Sequence, residues 1–228
     1  MRRLVTLLAA LLLAPFVALV TSCSAGGGQK ATLPDGGQLL ADSARAMRGV
    51  TTTHLTLDVQ GNAPGVQIRS ADGVLTRDGR AQGTAKVDMG RQITELQFKI
   101  IGGQLYISGL PGMPRQMPAS TLSAYFDASS ILNPDRGIAA VLASGQGATT
   151  EAREQVDGVD TYRAQAKFPA QPLGALVPGL GIASDKTSEL WVATQGSRLV
   201  KLQLPTNNGT ITAHFSDYDA PVQITPSP

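Results

Sequence analysis

The chain has 228 residues, 42% of them hydrophobic and 4% aromatic, with 19 basic and 17 acidic residues and one cysteine. That balance holds no basic block, which excludes the usual signatures of nucleic-acid binding and of a polybasic membrane patch. A single thiol excludes an internal disulfide. The first element in chain order is a leader. Arg2 and Arg3 are its only charges, "LVTLLAALLLAPFVALV" (4–20) is almost wholly apolar, and the small residues Thr21 and Ser22 follow. A charged start, an apolar middle and a small-residue exit read as a secretory signal peptide over residues 1–22. A retained transmembrane helix is the competing reading, but the run is at the short edge of what spans a bilayer and Pro15 interrupts it.

Cys23 sharpens this reading. "VTSC" (20–23) resembles a bacterial lipobox, with an aliphatic residue, two small residues and then the cysteine that receives a diacylglyceryl group before cleavage. A chance cysteine beside an ordinary cleavage site is the alternative, and a secreted chain rarely leaves one thiol free. Two or three acyl chains hold a protein at a membrane, whereas one is marginal. "SAGGGQKATLPDGG" (24–37) then has no apolar periodicity, so residues 23–36 read as a lipidated N-terminus and flexible tether. Residues 37–225 are expected to form one domain and 226–228 a frayed tail. Arg2 and Arg3 leave with the leader, which brings the formal charge of the mature chain to zero.

Within the domain, "GGQLLADSARAMRG" (36–49) carries Leu40, Ala44 and Met47 at helical spacing beside Leu39. From residue 53 the period changes to two. Leu55, Leu57 and Val59 oppose His54, Thr56 and Asp58; Val66 and Ile68 follow; Ala85, Val87 and Met89 oppose Lys86 and Asp88; Leu96, Phe98 and Ile100 oppose Glu95, Gln97 and Lys99. A "GG" turn at 102–103 leads to Leu105 and Ile107. Such alternation between glycine turns describes antiparallel strands with one apolar face. The middle segment has helical pieces: Leu122, Tyr125 and Phe126, then Ile138, Val141 and Leu142 after "NPDRG", where Asn133 is a candidate cap and Pro134 a candidate first residue. Alternation returns at "TEAREQVDGVDTYRAQAKF" with a "DG" hairpin turn. A proline-broken apolar stretch follows, with Leu173, Leu176, Val177, Leu180 and Ile182. Three further strands place Val200, Leu202 and Leu204 on one face, and alternate Ile211, Ala213 and Phe215 with His214. The expected fold is α+β: one curved antiparallel sheet, a half-barrel, with short helices covering its concave apolar face.

No catalytic constellation emerges. His54 and His214 fall on polar sides of their strands, "GGGQK" lacks the strand and ending of a phosphate loop, and Asp217 and Asp219 read as a turn. "NGT" (208–210) also reads as a turn, and no metal-ligand spacing occurs. What remains is the apolar face. Several inward candidates are small: Ala85, Ala213 and the glycines at 102 and 103. A sheet curling around poorly filled space encloses a cavity; a well-packed core is the alternative, and the pattern leaves both open.

The lipobox, "LTLDVQGNAPGV", "AQGTAKV", "GGQLYISG", "ILNPDRGIAAVL", "EAREQVDGVDTYR", "ELWV" and "FSDYDAPVQI" occur in the order seen in the mycobacterial LppX/LprA/LprF/LprG lipoproteins, which the chain resembles over its whole mature length. "ILNPDRGIAAVL" and "LWV" are the most specific parts. The resemblance implies a large apolar cavity between a half-barrel sheet and its helices. It implies binding of long-chain lipids and glycolipids (acylated phosphatidylinositol mannosides, lipoarabinomannan-type molecules, triacylglycerol or phthiocerol dimycocerosates) and their carriage from the plasma membrane toward the outer envelope. One branch of the family works beside a major-facilitator exporter. The family's cavity-facing strand matches "GTAKVDMG", so Ala85, Val87 and Met89 are expected against the acyl chains. The same alternation adds Leu57, Val59, Ile68, Leu96, Phe98, Ile100, Val200 and Leu202. The loop "SGLPGMPRQMPAST" (108–121), where the family varies, is expected to shape the mouth. The expectation is a monomeric, non-enzymatic, lipid-anchored protein of the extracytoplasmic membrane face, without cofactor. The alternative is an accessory protein for an exporter or cell-wall enzyme, with no cavity.

Overall fold

A computed structural model describes residues 32–61, 68–90, 92–109, 115–122, 127–176, 184–206 and 209–225. The leader, Cys23 and the tether through residue 31, Val66, Tyr125, Phe126, Val177, Leu180, Ile182, Asn208 and the tail at 226–228 lie outside the described residues. The fold is that of the unit Leu33–Pro228.

Helix α1 (Gly36–Gly49) spans the segment expected from its spacing and buries Leu39, Leu40, Ala44 and Met47. Asp35 caps it, accepting a hydrogen bond from the Gln38 amide at 2.8 Å. A β-carbon on Gly36 would stand 2.4 Å from the Ala148 carbonyl oxygen, so only glycine lets the helix begin against the neighbouring strand. Five strands follow as a meander: β1 (Thr52–Gly61), β2 (Ile68–Thr76), β3 (Ala81–Asp88), β4 (Ile93–Ile101) and β5 (Gln104–Ser108), with a short β6 (Gln116–Pro118) after them. Next come a single 3₁₀ turn (Ala119–Leu122), α2 (Ala128–Ile131) and α3 (Ile138–Ala143). Then β7 (Gln146–Val156), β8 (Val159–Phe168), α4 (Ala170–Leu176), β9 (Lys186–Ala193), β10 (Leu199–Thr206) and β11 (Gly209–Ser216) complete the chain.

The strands form one sheet in the order β6-β5-β4-β3-β2-β1-β11-β10-β9-β8-β7. Every pair is antiparallel, and the first and last strands meet in the centre, Leu57 opposite Ala213. β6 comes from the loop at 108–121, which the sequence left without a strand; Leu105 pairs with Met117 there.

Three expectations change. Gly102 and Gly103 do not point inward: they are the β4–β5 hairpin turn, with φ of 58° and 73°, the left-handed values that a tight turn demands. The inward glycines are Gly73 and Gly83, directly opposite each other on β2 and β3. Asn133 caps the turn at 134–136, not α3; its Oδ1 accepts from the amides of Asp135 at 2.9 Å and Arg136 at 3.1 Å. Helix α3 starts only after Gly137, where a β-carbon would meet three carbonyl oxygens at 2.4–2.6 Å.

Candidate functional site

Strand alternation and register lay the inward side chains out in rows across the sheet. One row runs Thr53, Leu75, Ala81, Ile100, Leu105, Met117. Its members through Leu105 are buried, and it belongs to the contiguous core with Ile131 and Leu132 of the α2 region. The next row runs Phe215, Leu55, Gly73, Gly83, Phe98, Ile107. A third runs Ala164, Leu190, Leu202, Ala213, Leu57, Ala71, Ala85, Leu96.

The two latter rows differ from the first along their middle, although Phe215, Ala164, Leu190, Leu202, Ala85 and Leu96 are buried. Where β1, β2 and β3 cross them, the side chains are alanine, leucine or none. Leu55, Leu57, Phe98, Ile107 and Ala213 pack against the core yet stay only partly buried. An inward apolar side chain in the middle of a wide sheet is ordinarily sealed by the opposite layer. Here α1 lies against β7 and α3, and α2 against α4 and β2, so among the described residues the helices lie mainly over the β7 side and the first row. The Gly73–Gly83 pair marks the bend between. A β-carbon on Gly83 would sit 2.1 Å from the Asp72 carbonyl oxygen, and one on Gly73 would sit 2.5 Å from that of Gln82. The two backbones approach more closely than any side chain allows, which lets the sheet curl there.

The residues singled out from sequence distribute as follows. Val59, Ile100 and Leu202 are in the contiguous core. Leu57 and Phe98 are inward and half-buried, packed against that core. Ala85 and Leu96 are buried but outside it. Ile68 and Val87 pair across β2 and β3, both half-buried, beside a bulge that frees Arg69. The Arg69 guanidinium instead donates to the Asp88 carboxylate at 2.7 Å and the Gly61 carbonyl at 2.7 Å. Val200 is the extra residue of a bulge in β10, so that Leu199 faces Val192 and both Leu199 and Val200 are buried. Met89 lies one residue beyond β3 and is 51% exposed, at the tip of the β3–β4 hairpin with Ile93 at 61%. Sequence reasoning put Leu55 on the apolar face without naming it for the cavity, and it did not find Ala71, Gly73, Gly83 and Ala164. Alanine and glycine carry too little hydropathy to register as one face of an alternating strand. Only the Ala71-x-Gly73-x-Leu75 spacing held a signal.

The convex face is polar. His54 Nε2 is 3.1 Å from an Asp72 carboxylate oxygen and its Nδ1 is 3.5 Å from Asp217. His214 Nδ1 is 2.7 Å from Asp157. Both histidines are thus on the wetted face, as expected. Arg163 pairs with Glu189 at 3.0 Å, Glu151 at 3.4 Å and Glu154 at 3.7 Å, and the Lys201 ammonium sits 4.3 Å above the Trp191 ring. After β11, the Asp219 carboxylate accepts from the Thr51 amide at 2.8 Å and its hydroxyl at 3.0 Å, and pairs with Arg198. The Thr51 amide bond, helped by the Thr51 hydroxyl and Arg198, holds the Asp219 carboxyl below the usual carboxylate range. Burial pushes the Tyr218 hydroxyl well above its ordinary value, and that hydroxyl donates to the Leu199 carbonyl.

The described residues also bound two open hollows. One of about 270 Å³ lies between α1 and α3, lined by Ala41, Ala44, Arg45, Arg48 and Leu142 among others. One of about 170 Å³ lies beside Leu96 and Gly109. Both fall below the ~300–1,000 Å³ of an ordinary ligand pocket.

An apolar, small-residue wall on an open antiparallel half-barrel has counterparts among known proteins. The LppX_LprAFG lipoprotein profile matches residues 35–224. The chain belongs to the LppX_LprAFG lipoprotein family. Among its relatives is the lipoarabinomannan carrier protein LprG of Mycolicibacterium smegmatis, 34% identical over 94% of this chain and 92% of that one. The protein of the same description from Mycobacterium leprae is 27% identical over 98% and 95%. The crystal structure of LprF from Mycobacterium bovis superposes with a TM-score of 0.76 at 26% identity, covering 84% of this chain and 96% of that one. The fold is also that of LppX from Mycobacterium tuberculosis, with a TM-score of 0.63 at 21% identity over 82% and 98%. This LppX_LprAFG chain shares with LprF and LppX the open antiparallel sheet with few short helices.

Proposed function

We propose that this lipoprotein binds the acyl chains of a lipid or glycolipid along its concave wall and carries it across the cell envelope. The observation that carries the reading is the set of inward, half-buried Leu55, Leu57, Phe98, Ile107 and Ala213 around the Ala and Gly positions of β2 and β3. Each methylene kept out of water there is worth about 0.8 kcal/mol, so a diacyl or triacyl cargo shielded by the wall leaves a bilayer without exposing its chains, while its polar headgroup stays in water at the mouth. The relatives named lipoarabinomannan carriers support a glycolipid of that class as cargo. In this reading Cys23 is the acylated anchor, residues 23–36 are the tether, the domain spans 37–225, and Ala85, Val87, Leu96, Ile68 and Met89 line the path from the wall to the hairpin tip. The protein works as a monomer on the extracytoplasmic face. It catalyses no step of its own in this reading, so direction comes from the acceptor or from a partner, for which the family resemblance suggests a major-facilitator exporter.

A second reading is an accessory protein whose concave face is simply its core. The burial of Ala85 and Leu96 favours it. Native mass spectrometry of the full chain, purified from cells that make the glycolipid, separates the two. Adducts with the mass of acylated lipids support the carrier; a lipid-free protein that also takes up no added lipid refutes it.

A further inference from the structure

The chain does not end at β11. It turns at Asp217–Asp219 and leaves along the convex side. There Thr52 and Lys99 point outward, since they alternate with the inward Thr53 on β1 and with Phe98 and Ile100 on β4. The near end of the segment is held on β1: the Asp219 amide donates to the Thr52 carbonyl at 3.0 Å, and the Thr52 hydroxyl donates to the Ala220 carbonyl at 2.8 Å. Its base is held to the start of β10 as well, through the Arg198–Asp219 pair, the Tyr218 hydroxyl on the Leu199 carbonyl, and Arg198 stacked 5.0 Å from the Tyr218 ring. The far end is held on β4, where the Lys99 ammonium donates to the Thr225 carbonyl at 2.8 Å. Ile224, between these ends, is 5% exposed.

Between the two anchors lie β2 and β3, the strands that carry Gly73 and Gly83. From β1 to β4 is three strand spacings, roughly 14 Å. From Ala220 to Thr225 is five residue steps, which extend to about 17 Å at most. The path over the outside of a curled sheet is longer than the spacing through it, and the Lys99 side chain reaches part of the way to Thr225, so the segment bridges the two strands with a limited excess of length. Pro221 fixes one of its backbone angles. The geometry of a band on a convex surface sets its effect. Tighter curling lengthens the outer path, so a band of fixed length limits it, while the glycine pair offers no side chain to resist it from within.

We propose that Ala220–Thr225 is a strap that limits the curl of the β1–β4 half of the sheet, and thereby sets the width of the concave wall and its rate of lipid exchange. The exchange part rests on the carrier reading; the mechanical part does not.

Two forms of the full chain test it: a truncation after Ala220, and a Lys99→Met/Ile224→Ser double variant that keeps the backbone. Amide hydrogen exchange is followed by mass spectrometry without lipid. In parallel, a fluorescent diacyl phospholipid is loaded and its transfer to neutral phosphatidylcholine vesicles is timed. The expected result in both variants is exchange about tenfold faster in β2 and β3, unchanged exchange in β8 and β9, and a transfer rate altered by about fivefold. Wild-type exchange rates in β2 and β3 overturn the strap. So does equal acceleration in β8 and β9, which is general destabilisation. If the wild-type chain takes up no lipid, the carrier reading and the exchange-rate part fall together, and the amide data alone decide the mechanical part.

Discussion

Ala85→Trp asks whether the concave wall is a surface or a core. Ala85 faces Ala71 on one side and Leu96 on the other and stands outside the contiguous core. An indole there covers about 150 Å² of wall. At roughly 30 Å² and 0.8 kcal/mol per methylene, that displaces about five methylenes of an acyl chain, or about 4 kcal/mol. Allowing for a chain that reroutes, lipid affinity should fall by about 100- to 1,000-fold. If the space is open, stability should change little. If it is packed core, overpacking costs about 1–3 kcal/mol, which lowers the Tm of a domain this size by roughly 3–10 °C. The assay is paired: a thermal melt and a titration with a fluorescent acyl lipid. Weakened binding with an unchanged melt supports the wall as a binding surface. A lowered melt with wild-type binding refutes it, as does no change in either.

Three other outcomes are expected. Gly83→Val should lose about 3 kcal/mol in denaturant unfolding, because its β-carbon meets the Asp72 carbonyl oxygen at 2.1 Å; Gly102→Ala, strained only by φ of 58° in open space, should lose about 1 kcal/mol. Asp219→Asn removes a carboxylate whose pKa is lowered in the fold. Its stabilisation, about 1 kcal/mol after discounting for its exposure, is present above pH ~4 and is lost as pH falls below that. Wild type and variant should therefore differ at pH 7 and converge near pH 2, and parallel curves across that range would contradict the assignment. Cys23→Ala should abolish incorporation of labelled palmitate and release the chain from the membrane fraction; persistent label would place the acyl group elsewhere.

Strand faces were legible wherever large apolar and charged residues alternate without interruption. "TELQFKII" gave Leu96, Phe98 and Ile100 correctly, because Glu95, Gln97 and Lys99 leave no other choice of side. Legibility failed where alternation is written in small residues or breaks at a bulge. Ala71 and Gly73 did not announce a face, and the extra residue at Val200 hid Leu199, which is fully buried. Turn glycines and bend glycines look alike in a sequence; φ separates Gly102 and Gly103 from Gly73 and Gly83. The "FSDYDAPVQI" segment read as a strand end and a turn, without the surface it lies on, because its partners Thr51, Thr52 and Lys99 are more than a hundred residues away in the chain. The helix at 36–49 was plain from its spacing, with a glycine at its far end.

A concavity whose floor is alanine and glycine obeys an asymmetric rule under mutation. Ala71, Ala85 and Ala213 have one side-chain carbon each and Gly73 and Gly83 none, so single substitutions there can subtract room but scarcely add it. At the alanines, larger side chains fill in room without disturbing register or strand order, whereas Gly73 and Gly83 admit no β-carbon while their backbones stay this close. Enlargement has to come from beside this floor, from trimming Leu55, Leu57, Phe98 or Ile107, or from a change in how the sheet bends. On the carrier reading, the alanines tune the wall toward a thinner cargo and the large side chains around them toward a bulkier one.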